Sequence, residues 1–143
     1  MKSKCVIIAG EFSADVIGVE IMSAINNVEW HGIGGPLMGA KKLNKFYDWD
    51  KISAFGLSDV IFSLPRLYYY ASKIADKIIK INPKIILTVD TKGFNFYLIK
   101  LIRNKLKNKN NKPKFIHIVA PTVWAWRANR ADKVSKIVDT LLC

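Results

Sequence analysis

Short apolar runs alternate along the chain with stretches in which apolar residues recur at helical spacing. The runs are nearly continuous in valine, isoleucine and leucine, which is typical of strands buried in a parallel sheet. They predict strands at Cys5–Ala9, Val28–Ile33, Lys84–Val89, Phe115–Val119 and Val138–Leu142. The periodic stretches predict helices at Asp15–Asn26, Pro36–Leu43, Pro65–Ile81, Phe94–Lys107 and Arg127–Ile137. Strand and helix in alternation indicate an α/β fold with a doubly wound parallel sheet.

The length and composition of the chain limit the classes of protein to which it can belong. Its 143 residues, half of them hydrophobic, are enough for one core, so we expect a single domain over residues 1–143. No apolar stretch approaches the roughly 20 residues that a membrane-spanning helix needs, and Glu11 comes too early for a secretory signal. These features predict a cytoplasmic protein. The two cysteines and two histidines lack metal-ligand spacing, so no metal site is predicted.

The formal net charge is +12, and much of it is concentrated in one segment without acidic residues. Its basic residues are Lys100, Arg103, Lys105, Lys107, Lys109, Lys112 and Lys114. Such a run attracts polyanions, either nucleic acid or anionic lipid head groups. The interspersed asparagines equally fit a solvated helix end and loop. The sequence therefore predicts general attraction to anionic surfaces and no specific nucleic-acid contact.

Two tryptophans follow the predicted strand at Phe115–Val119. Trp124 and Trp126 lie one residue apart, behind Pro121, and lead directly into Arg127. They lie at the carboxyl end of a strand, where open α/β sheets hold their ligands. We interpret the two tryptophans and the arginine as substrate-binding candidates. The alternative is that the indoles are buried in the core or in an interface.

The loop after the first strand carries candidate polar groups. Gly10 permits a tight turn there, and Ser13 or Asp15 can cap the following helix. Because these caps leave no structural role for Glu11, we interpret it as a functional carboxylate in the crevice. Gly10 and Ser13 are predicted to contact the substrate.

Two further strands end in candidate groups. Gly34 and Gly35 follow the second strand and let the backbone approach a ligand, although their spacing and position do not match a dinucleotide-binding fingerprint. Asp90 follows the strand that ends at Val89, where a carboxylate is well placed to act as a general base toward a hydroxyl. Its alternative role is to cap the next helix. Asn95 is expected to bond a sugar or phosphate oxygen, or to act as a cap.

Five sequence blocks, taken in order, resemble those of the lipid-A-disaccharide synthase family of Gram-negative bacteria. The family's A-G-E-x-S-G-D corresponds to Ala9–Asp15, its G-I-G-G-P-x-M to Gly32–Met38 and its M-G-x-x-E-V to Phe55–Val60. Its I-D-x-P-D-F-N corresponds to Val89–Asn95, and its H-x-V-x-P-x-V-W-A-W-R to His117–Arg127. The chain departs from these patterns in two places. Alanine replaces the second glycine of the first block, and lysine and glycine replace a proline and an acid in the fourth.

The resemblance implies a fold, an activity and substrates. Family members are glycosyltransferases of the GT-B type, with a Rossmann-like amino-terminal lobe on the acceptor side. They transfer 2,3-diacylglucosamine from its UDP-sugar to 2,3-diacylglucosamine 1-phosphate with inversion and release UDP. They use neither a cofactor nor a metal ion. On this basis Asp90, the one acid left in its block, is the expected catalytic base, and Glu11 is the second candidate.

The resemblance also implies contact with a membrane, because both family substrates are acylated. One stretch is rich in large apolar and aromatic side chains: Val60, Ile61, Phe62, Leu64, Leu67, Tyr68 and Tyr69. We expect this stretch to contact an anionic membrane surface, which implies a peripheral location on the inner face of the inner membrane. The alternative is that helical spacing turns part of it toward the core, namely Ile61, Leu64, Leu67 and Tyr68.

Family members continue beyond the position of Cys143 for a length comparable to this whole chain, so we expect a half-enzyme that lacks the carboxyl-terminal lobe. Such a chain is a split-gene product, a decayed remnant or an excised fragment. As a glycosyltransferase lobe, it needs a separately encoded carboxyl-terminal lobe and binds UDP-diacylglucosamine only with that partner. The competing expectation is an inactive remnant or a membrane-surface binding module without catalysis. A free-standing nucleotide-binding domain is disfavoured, because no phosphate-cradling glycine loop follows the first strand.

Overall fold

The computed structural model of the protein describes residues 1–47, 60–90, 92–118 and 134–142, with the backbone alone at residues 60–64 and 92. The described strands are β1 (Ser3–Ala9), β2 (Val28–Ile33), β3 (Asn44–Lys45), β4 (Ile85–Val89), β5 (Lys114–Ile118) and β6 (Thr140–Leu142). The described helices are α1 (Phe12–Ala24), α2 (Pro36–Ala40), α3 (Val60–Ile81) and α4 (Lys92–Lys105).

The six described strands pair in parallel in the order β3-β2-β1-β4-β5-β6. The chain runs outward from β1 to β3 and then returns to β4 on the other side of β1, so the strand order reverses between β1 and β4. Ala9 at the end of β1 is the register partner of Val89 at the end of β4. Open α/β sheets bind ligands at such a reversal, outside the carboxyl ends of the strands. The predicted α/β fold with a doubly wound, Rossmann-like parallel sheet is confirmed.

Strand β1 contributes side chains to two cores, one on each face of the sheet. Val6 and Ile8 are completely buried and pack with side chains of α3 and α4. Ile7 and Ala9 are also completely buried and pack on the other face with Ala14 of α1. Successive residues of a strand point to opposite faces, so a strand covered on both faces has no position for a polar side chain. This is why a continuous apolar run predicts a central strand.

Helix α3 begins earlier than the sequence predicts. The predicted start is Pro65, because proline has no N–H group to donate, but the helix already includes Val60. A proline inside a helix removes one backbone hydrogen bond, and the later turns of α3 compensate by burying Ala71, Ile74 and Ile78 in the core.

Other differences from the predicted elements are small. Strand β3 consists of two polar residues at the edge of the sheet, which carry no strand pattern, so the sequence does not predict it. Helix α1 begins at Phe12, three residues before the predicted start at Asp15. The predicted helix Arg127–Ile137 lies mainly outside the described residues. Of its described part, Val134 and Ser135 are helical.

Candidate active site

The loops that leave β1 and β4 bring two carboxyl groups together at the reversal in strand order. Glu11 follows β1 after the buried Gly10 and precedes α1 with an extended backbone (φ −150°, ψ 167°). Asp90 follows β4 and has a left-handed backbone with φ 49°. Ala9 and Val89, the last residues of β1 and β4, are register partners, so Glu11 and Asp90 follow neighbouring strand ends. The two predicted catalytic residues therefore lie at the same edge of the sheet.

The surroundings of Glu11 favour its protonated form. Partial removal from water is the main cause that raises the pKa of Glu11, and the Asp90 carboxyl raises it further through its charge and a hydrogen bond. A hydrogen bond with Ser13 acts in the opposite direction. A carboxyl group whose pKa is raised holds a proton more tightly than an ordinary carboxylate does. A carboxylate at this strand end can accept a proton from a neighbouring hydroxyl group, which is the task of a general base.

Ser13 and Asp15 do not cap α1, so this prediction is wrong. The N-cap residue is Glu11, and its side chain makes no capping hydrogen bond. Because α1 begins at Phe12, Ser13 and Asp15 lie inside its first turn and not ahead of it. Ser13 is exposed, whereas Asp15 is completely buried.

Asp15 holds the loop after β2 in place. Its Oδ1 accepts hydrogen bonds from the backbone N–H groups of Gly35 (2.8 Å) and Met38 (3.2 Å). Its Oδ2 accepts one from the N–H group of Leu37 (3.0 Å). The N–H groups at the start of a helix have no acceptor within the helix, and here the carboxylate supplies one for α2. A single buried side chain thus joins the first turn of α1 to the loop that follows β2.

One of the two glycines predicted to contact a ligand after β2 has a packing reason of its own. A Cβ atom on Gly35 would lie 2.5 Å from Asp15 Oδ2, and one on Gly34 would lie 2.7 Å from Met38 Sδ. At Gly35 the neighbour is a buried carboxylate held by three hydrogen bonds, so this position requires glycine independently of any ligand. At Gly34 the neighbour is the end of a flexible methionine side chain, which can shift. Contact of Gly34 and Gly35 with substrate stays a prediction, as it does for Gly10 and Ser13.

Asn95, in the first turn of α4, reaches back to the end of β4. Its Nδ2 donates to the carbonyl oxygens of Asp90 (2.7 Å) and Val89 (3.4 Å). The residue is completely buried, and its Oδ1 has no hydrogen-bond partner among the described residues. This differs from an N-cap, in which a side-chain oxygen accepts a bond from a backbone N–H group. Contact of Asn95 with a sugar or phosphate oxygen stays a prediction.

Sequence reasoning misses a buried polar pair next to the site. Thr88 of β4 and His117 of β5 are register partners, both completely buried, and Thr88 Oγ1 lies 2.7 Å from His117 Nδ1. The ring of Phe96 packs against the imidazole with 4.7 Å between centroids. Because Thr88 is two residues before Asp90, this pair helps to fix the strand ends that carry the site. The available signal was His117 itself, which opens the last of the five sequence blocks.

The remaining predicted substrate contacts, Trp124, Trp126 and Arg127, lie outside the described residues. Among the described residues, no cluster of three or more His, Cys, Asp or Glu side chains is arranged to hold a metal ion.

The predicted membrane contacts are described only in part. The side chains outside the described set are those of Val60, Ile61, Phe62 and Leu64. Leu67 packs partly against the core, whereas Tyr68 and Tyr69 are 47% and 59% exposed. The exposure of Tyr68 contradicts the alternative in which it faces the core. No helix in the described part of the chain is long and apolar enough to cross a membrane.

Comparison with known proteins gives a consistent result. The sequence model of the lipid-A-disaccharide synthetase family matches residues 5–143. The lipid-A-disaccharide synthase of Chlamydia trachomatis serovar D is 33% identical over 144 residues, which cover 98% of this chain and 23% of that protein. The enzyme of the same name from Blochmanniella pennsylvanica is 32% identical over 140 residues, covering 95% of this chain and 35% of the relative. That from Idiomarina loihiensis is 33% identical over 144 residues, covering 98% and 36%.

The chain thus spans between about a quarter and about a third of the length of these relatives. The family match nevertheless covers nearly every residue of the chain, including the strand ends that carry Glu11 and Asp90. This chain belongs to the lipid-A-disaccharide synthetase family.

Proposed function

We propose that this chain is the acceptor-side lobe of a lipid-A-disaccharide synthase and that Asp90, beside Glu11, is the general base of sugar transfer. The observation that carries the proposal is the placement of these two carboxylates directly after the paired ends of β1 and β4, where the strand order reverses. Sugar transfer to a hydroxyl requires a group that removes the hydroxyl proton, and a carboxylate fixed at a strand end is suited to that task.

In the proposed reaction, the carboxylate removes the proton of the acceptor hydroxyl while the hydroxyl oxygen attacks the anomeric carbon of the UDP-sugar. A carbon–oxygen bond forms on the face opposite the nucleotide, the bond to UDP breaks, and UDP leaves with the electron pair. Because attack and departure occur on opposite faces, the anomeric configuration inverts. The proton remains on the carboxyl pair until it passes to water after the product has left.

Asp90 is the preferred base because its backbone is held on both sides. Its N–H group donates to the carbonyl oxygen of Ile118 (2.8 Å), and its own carbonyl oxygen accepts a bond from Asn95 (2.7 Å). A base must be held close to the proton that it removes, and a fixed backbone limits the positions open to its carboxyl group. Glu11, which follows the neighbouring strand end, is the alternative base.

The groups that hold the UDP moiety are proposed to lie in a second lobe outside these 143 residues. The loop after β1 has no glycine cradle for a diphosphate, and the N–H groups of Gly35, Leu37 and Met38 already bond to Asp15. Calorimetric titration of the purified chain with UDP should therefore show no binding. Tight binding in this titration would overturn the two-lobe proposal in favour of a free-standing nucleotide-binding domain.

Acylated substrates imply a membrane surface as a partner and a peripheral location of the protein on the inner face of the inner membrane. Two exposed tyrosines of α3, Tyr68 and Tyr69, support this proposal, and the Nζ atom of Lys73 lies 5.6 Å from the centre of the Tyr69 ring. Tyrosine rings favour the head-group level of a bilayer, and lysines near a membrane surface are attracted to its phosphates. The first turns of the same helix carry four apolar residues, Val60, Ile61, Phe62 and Leu64.

Reconstitution tests the proposed activity. The purified chain is mixed with the carboxyl-terminal region of the Chlamydia trachomatis relative, produced separately, and with both acylated substrates. We expect disaccharide and UDP only when both proteins are present. Product from the relative's region alone, or none from a mixture shown to form a complex, would instead support a remnant or a membrane-surface module without catalysis.

A further inference from the structure

The donors of Asn95 are fully used within the protein. A carboxamide has two N–H donors and one acceptor oxygen. Both donors have a backbone acceptor, the carbonyl oxygen of Asp90 at 2.7 Å and that of Val89 at 3.4 Å. A phosphate oxygen can only accept hydrogen bonds, so it finds no free donor on Asn95. The side chain therefore serves the strand end in preference to an anionic group of the substrate.

The backbone of Asp90 needs this support. Its φ of 49° lies in the left-handed region, which costs free energy for any residue other than glycine, although aspartate tolerates it better than most. Such a conformation persists only where the surroundings fix it from several directions. Here the N–H group of Asp90 bonds to Ile118 of β5, and its carbonyl oxygen bonds to Asn95 of α4. With this backbone, the carboxyl group of Asp90 influences Glu11, whose pKa its charge raises.

We propose that Asn95 is a positioning residue, whose two donated hydrogen bonds fix the left-handed backbone of Asp90 and thereby the position of its carboxyl group at the end of β4. The Oδ1 atom of Asn95 has no hydrogen-bond partner in the part of the chain that the structure describes, and a buried acceptor without a partner destabilises the fold. A leucine of similar size would avoid that cost, so the benefit of asparagine lies in its two donors. The expected effect of Asn95 on sugar transfer rests on the proposed function. Its expected effect on the titration of Glu11 does not.

The first test measures the carboxyl pair in the purified chain by NMR titration of Glu11. Asp90→Asn removes the neighbouring charge and sets the scale, because it should lower the pKa of Glu11 toward the ordinary value. Asn95→Ser shortens the side chain so that it no longer reaches the two carbonyl groups. We expect it to lower the pKa of Glu11 by at least half as much as Asp90→Asn does.

Leu98→Ala is the matched control, since Leu98 is completely buried in the same helix and has no polar group. It should lower the stability of the protein and leave the titration of Glu11 unchanged. A wild-type titration in folded Asn95→Ser, or an equal shift in Leu98→Ala, would overturn the proposal. If Asn95→Ser does not fold, Asn95→Gln takes its place in the titration. This variant keeps both donors on a longer side chain, and its shift in the pKa of Glu11 is compared with the shift in Asp90→Asn.

The second test measures transfer in the reconstituted two-lobe enzyme. A displacement of about 1 Å at a reacting group can cost ~100-fold in rate, so Asn95→Ser should lower kcat to that extent and leave KM nearly unchanged. A rise in KM with unchanged kcat would indicate substrate contact and overturn the positioning role. If the wild-type mixture transfers no sugar, the proposed function fails while the titration still decides the role of Asn95.

Discussion

Replacing Asp15 with alanine is expected to destabilise the protein strongly, although Asp15 takes no part in the proposed chemistry. The carboxylate accepts three backbone hydrogen bonds from the start of α2. Two of the donors belong to buried residues, Gly35 and Met38, whereas the third belongs to the exposed Leu37. After the substitution, water can replace the acceptor only at Leu37.

The magnitude follows from the two buried donors, Gly35 and Met38. Each buried N–H group left without an acceptor costs about 1–3 kcal/mol, so Asp15→Ala should lower the free energy of unfolding by about 2–6 kcal/mol. Asp15→Asn keeps the Oδ1 atom that serves Gly35 and Met38 and replaces only the Oδ2 atom opposite Leu37. It should therefore cost only about 1–2 kcal/mol.

Urea unfolding of the purified variants measures these differences. Asp76→Ala is the matched control, because Asp76 is an exposed carboxylate paired with Lys105, and its loss should cost less than ~1 kcal/mol. The reasoning is refuted if Asp15→Ala unfolds within about 0.5 kcal/mol of the wild type, which is typical of surface substitutions. It is equally refuted if Asp15→Asn is the more destabilised of the two variants.

Three further predictions concern charge and the membrane. Because the pKa of Glu11 is raised in the folded protein, the free energy of unfolding falls as pH rises through the titration of Glu11. Glu11→Gln should therefore be more stable than the wild type at pH ~7, by less than ~1 kcal/mol because the residue is exposed. Burial acts to raise the pKa of Asp139, but hydrogen bonds to a backbone amide and a guanidinium outweigh it and lower the pKa. The stability that the ionised Asp139 contributes is present above the ordinary pKa of 3.8 and is lost as pH falls through the lowered pKa. Asp139→Asn should therefore be less stable than the wild type by ~1 kcal/mol at neutral pH and equal to it in strong acid. Replacing Tyr68 and Tyr69 together by serine should reduce cosedimentation with anionic vesicles, and added salt should weaken the binding of both proteins.

Each of these predictions has a contradicting result. A stability difference for Glu11→Gln that persists unchanged at pH ~3, where both states are protonated, would show that charge is not its cause. Equal stability of Asp139→Asn and wild type at neutral pH would show that the ion pair contributes nothing. Undiminished vesicle binding by the folded double tyrosine variant would show that this part of α3 does not contact lipid.

The parallel sheet could be predicted because burial on both faces excludes polar residues from a central strand. Ile7 and Ile8 of β1 are adjacent, point to opposite faces and are both completely buried. Strand β3 could not be predicted in this way, since Asn44 and Lys45 are exposed at the edge of the sheet. An edge strand held by backbone pairing alone leaves no hydrophobic pattern in the sequence.

The candidate carboxylates could be predicted because each directly follows a strand, and parallel strands end at the same edge of the sheet. The actual partners of Asp15 and Asn95 could not. Both side chains look like ordinary caps in the sequence, but Asp15 bonds to Gly35, 20 residues later, and Asn95 donates backward to the strand end. Such partners depend on how the loops pack in the folded protein.

The charge of the basic segment is also changed by the fold. Within the segment no acidic residue is present, yet Arg103 pairs with Asp139 at 3.0 Å and Lys105 pairs with Asp76 at 2.5 Å. Both partners come from distant parts of the chain. The attraction of this segment to anionic surfaces is therefore weaker than a count of its lysines and arginines indicates.

The most direct test of the central claim is the rate of sugar transfer in the reconstituted two-lobe enzyme with Asp90→Asn in this chain. Removing a general base typically lowers the rate about 100- to 10,000-fold, and we predict a loss in this range with unfolding behaviour close to that of the wild type. Glu11→Gln, measured in parallel, should have the smaller effect, and Asp76→Asn should have none. Transfer by Asp90→Asn at nearly the wild-type rate would contradict the assignment of Asp90 as the base, and a larger loss in Glu11→Gln would give that role to Glu11.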